Sequence, residues 1–220
     1  KPFLELAGGY APDLPGFGVS DKPPHFDYSI EGYGRFLREY ADGVGLDRFS
    51  LVVHDWGAVG LVLAQELPDR IERLAIVDAV PFVPGYRWHR VASLWRTPLV
   101  GEMTMGFTFK RGLRRGMPGE LVDHAYERFD HGTQRAILKL YRASPPGRLA
   151  AAGTRLGDVK APALVAWGAA DEYIPAKFAR EYADRLGGEA RVELVEGAGH
   201  WPWIDRPELV DTVARFLRGA

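Results

Sequence analysis

Three short apolar runs in this chain each stop abruptly at a small cluster of polar and glycine residues, and that arrangement leaves few ways to fold. Ser50–His54 runs into His54-Asp55-Trp56-Gly57, the stretch 162–167 into Gly168-Ala169-Ala170-Asp171, and 191–195 into Gly197-Ala198-Gly199-His200. A fourth run, 73–78 within RLAIVDAV, ends in Asp78. Helical patterns separate these runs: 29–44, Gly57–Leu67, a segment from about Pro175, and a last one striped with Leu209, Val210, Val213, Phe216 and Leu217. Short β-like runs alternating with helices predict a mainly parallel sheet covered by helices, an α/β fold. Asp205 and Glu208 stand at capping-box spacing, with Pro207 in the first turn of the last helix.

The alternation breaks after Ala79. From Pro81 to about Pro146 the sequence is helical and aromatic-rich, with Trp88, Trp95, Phe107, Phe109, Tyr126 and Tyr141 and no clear strand. The expected organisation is therefore a core of residues 1–80 and 147–220, with 81–146 as a helical insertion. The basic run Arg111–Arg115 reads as a solvated face of that insertion. A net charge of −1 gives no electrostatic footprint for nucleic acid or an anionic membrane. The absence of cysteine removes disulfides, thiolate nucleophiles and cysteine-based metal sites, and fits a reducing, cytoplasmic setting. His25, His89, His124 and His131 show no metal-ligand spacing.

In an open parallel sheet, ligands collect beyond the carboxyl ends of the strands, so the polar clusters are expected to converge there. Their order (carboxylate, acid, histidine) is that of the α/β-hydrolase arrangement, whose nucleophile sits on a sharp strand-to-helix turn. No serine occupies such a turn; position 55 is aspartate, with Val53 where the first elbow glycine would stand and Gly57 as the small residue expected to let the helix pack closely. A carboxylate is ionised at neutral pH and attacks carbon without a base. The resulting ester needs water activated by a histidine, the role expected of His200. Asp171 is the expected partner acid and Asp78 the alternative. Trp56 offers an indole N–H for a departing anion and a backbone N–H for an oxyanion. Carboxylate, imidazole and water suffice, so no cofactor and no metal are implied.

These residues resemble the α/β-hydrolases with an aspartate nucleophile, the haloalkane dehalogenases and epoxide hydrolases. The likeness is carried by APDLPGFGVSDKP (11–23) and LVVHDWGAVG (51–60), and covers 11–80 and 160–217; the insertion 81–146 would be the cap. Val53 and GFGVSDKP look more like dehalogenases, in which the tryptophan after the nucleophile binds halide, a role that would fall on Trp56. Tyr141, in LKLYRAS, sits where epoxide hydrolases place one of two cap tyrosines; Phe107 and Phe109 stand where the other is expected. The resemblance further implies an oxyanion strand upstream of APD, yet only KPFLELAGGY precedes it, so the N-terminal strands are expected to be missing and KPFLELA to be a helix tail. The implied activity is attack on a small apolar substrate, with a haloalkane first and an epoxide second. A different class is a non-hydrolytic binding protein or a cofactor-free oxygenase resembling marine luciferases, which share the His-Asp-Trp-Gly elbow.

Overall fold

The computed structural model describes residues 2–108, 110–114 and 117–219. Four strands, β1 (Phe49–Asp55), β2 (Ile71–Ala79), β3 (Ala163–Gly168) and β4 (Ala190–Val195), lie parallel and in chain order across one sheet. The register brings Val53 beside Ile76, Ile76 beside Val165 and Val165 beside Val192. All four strand ends that carry polar clusters therefore open at the same end of the sheet.

The two inner strands are covered on both faces, which is why their sequences are nearly continuous apolar runs. One face (Ala75, Val77, Leu164, Ala166) packs against Leu209 and Val213 of α12 (Glu208–Arg218), which follows the single turn α11 (Pro202–Asp205), with Phe3 of α1 (Pro2–Ala7) beside them. The other face (Leu74, Ile76, Ala163, Val165, Trp167) packs in a larger core with α2 (Ile30–Gly43), α3 (Gly60–Glu66) and α10 (Lys177–Ala183). Alternation along a strand sorts these residues between the two layers. Ser29 caps α2, its side chain accepting the Gly32 N–H at 3.0 Å. Burying Trp167, Tyr182 and Phe178 in this core contributes on the order of 2 kcal/mol per side chain before entropy is counted.

Between β2 and β3 the chain forms α4 (Arg90–Arg96), α5 (Val100–Gly106), α6 (Lys110–Leu113), α7 (Gly119–Glu127), α8 (His131–Ala143) and α9 (Pro146–Ala152), with no strand among the described residues. Arg142 of α8 grips Glu102 of α5 through both terminal nitrogens at 2.7 Å. The Trp88 indole donates to the Ser144 carbonyl at 2.9 Å, closing the two ends of the segment together. In the basic run, exposed Arg114 lies 3.8 Å from Asp123; Arg115 and Phe109 lie outside the described residues.

Two local expectations are corrected. The capping box before α12 does not form: its N-cap is Pro207, and the Asp205 carboxylate instead accepts the Gly199 N–H at 2.8 Å. Gly57 is not a packing glycine, since a Cβ there would meet nothing within 4 Å among the described residues; Gly60 is, facing Val53 at 3.1 Å. The expected α12 stripe is present, and within KPFLELA a helix spans Pro2–Ala7, Lys1 lying outside the described residues. Among the described residues no helix is long and apolar enough to cross a membrane.

Candidate active site

β1 ends on Asp55, whose φ of 46° and ψ of −123° put a non-glycine residue in strained backbone and turn the chain straight into a 3-10 turn, Trp56–Val59. Such strain costs roughly 1–3 kcal/mol and persists only where its surroundings hold it. Here the Asp55 carbonyl is held by the Val80 N–H at 3.0 Å, beyond the end of β2. The turn lifts the carboxylate clear of the sheet, leaving its side chain 40% exposed.

β3 ends at Gly168, and the loop after it delivers Asp171. One oxygen of Asp171 accepts the N–H groups of Tyr173 and Ile174 at 2.7 and 3.0 Å. The other meets Nδ1 of His200 at 2.8 Å. β4 leads into a turn with Gly197 at φ 70°, which brings His200 over the strand ends. That turn crosses so close to β3 that a Cβ on Gly168 would lie 2.1 Å from the Gly199 carbonyl oxygen; only glycine fits there. Nε2 of His200 then faces Oδ1 of Asp55 at 3.6 Å. The structure thus brings Asp55, Asp171 and His200 together from three separate strand ends. It pairs His200 with Asp171 and not with Asp78.

The charges follow from this geometry. Burial works against a charged His200, but its hydrogen bond to Asp171 and the negative charges of Asp171 and of Asp55, 3.6 Å away, outweigh that and push the ring up to about 10. Partial burial would raise Asp55, yet the positive charge of His200 beside it, with the Trp56 backbone N–H, holds it below its ordinary value. Asp78 is driven up to about 9, first by burial and then by the Asp171 charge.

Aromatic rings wall the space beside Asp55. Trp56 stacks on Trp88 at 5.5 Å and meets Tyr141 edge-on at 5.1 Å; Trp88 and Trp95 lie 4.9 and 5.2 Å from Tyr141. The Trp56 indole N–H is buried and makes no well-aligned hydrogen bond among the described residues, although the Tyr141 hydroxyl lies close to it. Burial, then the Asp55 charge, keeps the Tyr141 hydroxyl protonated against the smaller opposing pull of that indole. Phe107, at the expected second-tyrosine region, is 70% exposed.

The sequence reading missed His54 and Asp205. Nε2 of His54 meets the His200 carbonyl oxygen at 2.8 Å, so in the half-buried, neutral ring that nitrogen is the donor. Burial, then the nearby His200 charge, drops His54 to about 4. Its place beside Asp55 was the available signal, since neighbours on a strand point to opposite faces.

A parallel α/β sheet with carboxylate, acid and histidine gathered at its carboxyl ends defines a hydrolase-type scaffold. The chain belongs to the alpha/beta hydrolase family, whose sequence profile matches residues 2–212. It is 30% identical to a haloalkane dehalogenase of Mycolicibacterium paratuberculosis, over 92% of this chain and 72% of that protein. It is 27% identical to epoxide hydrolase 3 of Xenopus tropicalis, over 97% of this chain but only 66% of the relative's length. The crystal structure of a haloalkane dehalogenase from Bradyrhizobium elkani superposes with a TM-score of 0.81 at 25% identity, covering 100% of this chain and 84% of that one.

Proposed function

We propose that this chain carries the catalytic core of a hydrolase that cleaves a carbon–halogen bond in a small apolar substrate. Asp55 attacks the saturated carbon, the bond to halogen breaks, and the halide leaves with the bonding pair, giving an alkyl ester of Asp55. His200 then takes a proton from water as the hydroxide adds to the ester carbonyl; the acyl C–O bond breaks, and His200 returns the proton to the alkoxide, which leaves as the alcohol and frees the Asp55 carboxyl. Asp171 holds the ring in its working tautomer. The Trp56 backbone N–H, already facing the Asp55 carboxyl, is placed for the oxyanion. The observation that carries the halide reading is the buried Trp56 indole N–H, which makes no hydrogen bond among the described residues and belongs to the residue that follows the nucleophile. An indole can only donate, so an anion formed there is what it suits.

Residues 81–146 are read as the cap and 1–80 with 147–220 as the core; substrate and water are the partners and the cytoplasm the setting. Epoxide opening is the second reading. It is favoured by Tyr141, a protonated hydroxyl beside the nucleophile, and by the epoxide hydrolase relative.

Covalent trapping tests both. In His200→Phe the ester cannot be hydrolysed and should accumulate on Asp55, visible by intact mass. A haloalkane adds only its alkyl group, because halide leaves, whereas an epoxide adds its whole mass. A non-hydrolytic binding protein adds nothing with either, and that outcome would falsify the proposal.

A further inference from the structure

One carboxyl at the site has no part in the steps above. Asp78 ends β2 with a φ of 39° and is wholly shielded from solvent. Its Oδ1 accepts the Gly168 N–H at 3.0 Å, while its Oδ2 is buried with no partner among the described residues. One ligand-type atom from each of Asp78, Asp171 and His200 lies within 4.8 Å of the other two. The groups that could balance a second anion are already committed: Nδ1 of His200 to Asp171, Nε2 toward Asp55, and the Gly168 N–H to the other Asp78 oxygen. Two neighbouring carboxylates cannot both stay ionised in such a place. A proton resolves the conflict, because a protonated carboxyl is a donor and the Asp171 oxygen that meets His200 has a second lone pair.

We infer that Asp78 is a positioning residue that works protonated, its Oδ2–H directed at the Asp171 carboxylate, so that His200 is served by a carboxyl–carboxylate pair and not by one aspartate. The direction of the Asp78 shift, upward through burial and the Asp171 charge, agrees. A divalent cation is the other occupant such a trio could hold. Against it, three backbone N–H groups (Gly168, Tyr173 and Ile174) point at these carboxyl oxygens, and their dipoles repel a cation. The effect on rate rests on the proposed hydrolytic reading; the proton itself does not. By donating to Asp171 the proton withdraws charge from the acid that holds His200. Once Asp78 ionises, both carboxylates pull on the imidazolium, so more of the ring stays protonated and unable to accept a proton from water, and ester hydrolysis slows on the alkaline side.

The test is infrared spectroscopy of the protein labelled with ¹³C-aspartate, wild type against Asp78→Asn, near neutral pH. A protonated-carboxyl C=O band, shifted in D₂O, is expected in the wild type and absent in the variant. Should Asp78→Asn not fold, the Gly168 amide shift of the wild type answers the same question: it should stay flat from about pH 5 to about pH 8 and move only above that. In turnover, Asp78→Asn can still accept from Gly168 and donate to Asp171 and should stay close to wild type but without the alkaline decline. Asp78→Leu, which can do neither, should lose at least about tenfold in kcat with KM little changed. The inference is overturned if no protonated carboxyl is found, if the Gly168 amide titrates near the ordinary carboxyl range, or if one divalent ion per chain copurifies and is lost in Asp78→Asn. A failure of the hydrolytic reading appears separately, as no ester in His200→Phe with the spectra unchanged.

Discussion

Asp55 faces Nε2 of His200 at 3.6 Å and Asp171 faces Nδ1 at 2.8 Å, so both ring protons have a carboxylate. A ring held up to about 10 is an imidazolium at neutral pH and cannot serve as a base. In the proposed reaction alkylation of Asp55 changes that, because the ester has no charge and the support given by Asp55 vanishes while that of Asp171 remains. On that reading the first chemical step prepares the base for the second. Asp55→Asn mimics the neutral state, so ¹⁵N NMR should place the His200 titration clearly lower in that variant than in the wild type. An unchanged value would mean that Asp55 does not hold the proton. His54 acts on the same ring through the backbone. In His54→Phe the His200 carbonyl loses its donor, a cost of about 1–3 kcal/mol for a buried acceptor left alone. The expected phenotype is a lower kcat with the alkyl ester building up under turnover, partly restored in His54→Gln, whose amide can donate; equal losses in both variants would count against this role.

Two glycines separate packing from conformation at the level of elements. A methyl on Gly168 would strike the Gly199 carbonyl and displace the turn that carries His200, whereas a methyl on Gly57 meets nothing within 4 Å among the described residues. Gly168→Ala should lose about 1–3 kcal/mol of stability, as overpacking does, and turnover with it. Gly57→Ala should stay within about 0.5 kcal/mol. Urea denaturation of both variants checks the contrast, and equal effects would contradict it. The parallel sheet was legible in the sequence because β2 and β3 are buried on both faces and so had to be written as apolar runs. The polar clusters were legible because a strand that ends in Asp55, or a turn that ends in His200, interrupts such a run. What stayed hidden depends on long-range approach. Asp205 and Glu208 have capping-box spacing, but the Asp205 carboxylate finds the Gly199 N–H first. The contact of His54 with residue 200 spans 146 positions, and no local pattern announces it.

The same buried groups shape the stability of the whole molecule against pH. Asp78 is raised to about 9 and His200 to about 10 from ordinary values of 3.8 and 6.5. Each therefore keeps in the folded state a proton that the unfolded chain has released, and each contribution is lost as pH rises. His54 is lowered to about 4, so its contribution has the opposite sign: present above its ordinary value and lost as pH falls. Stability changes by about 1.4 kcal/mol per pH unit for each proton of difference. From about pH 4 to about pH 6.5 the Asp78 and His54 slopes oppose one another and largely cancel. Above about pH 6.5 the His54 slope ends while those of Asp78 and His200 act together, so stability should fall through the neutral range toward about pH 9. Asp78→Asn removes one of the two slopes. Its stability relative to wild type, measured by urea denaturation at several pH values, should therefore improve steadily with rising pH, with the gain levelling off once wild-type Asp78 itself ionises. A difference independent of pH would show that Asp78 carries the same charge folded and unfolded.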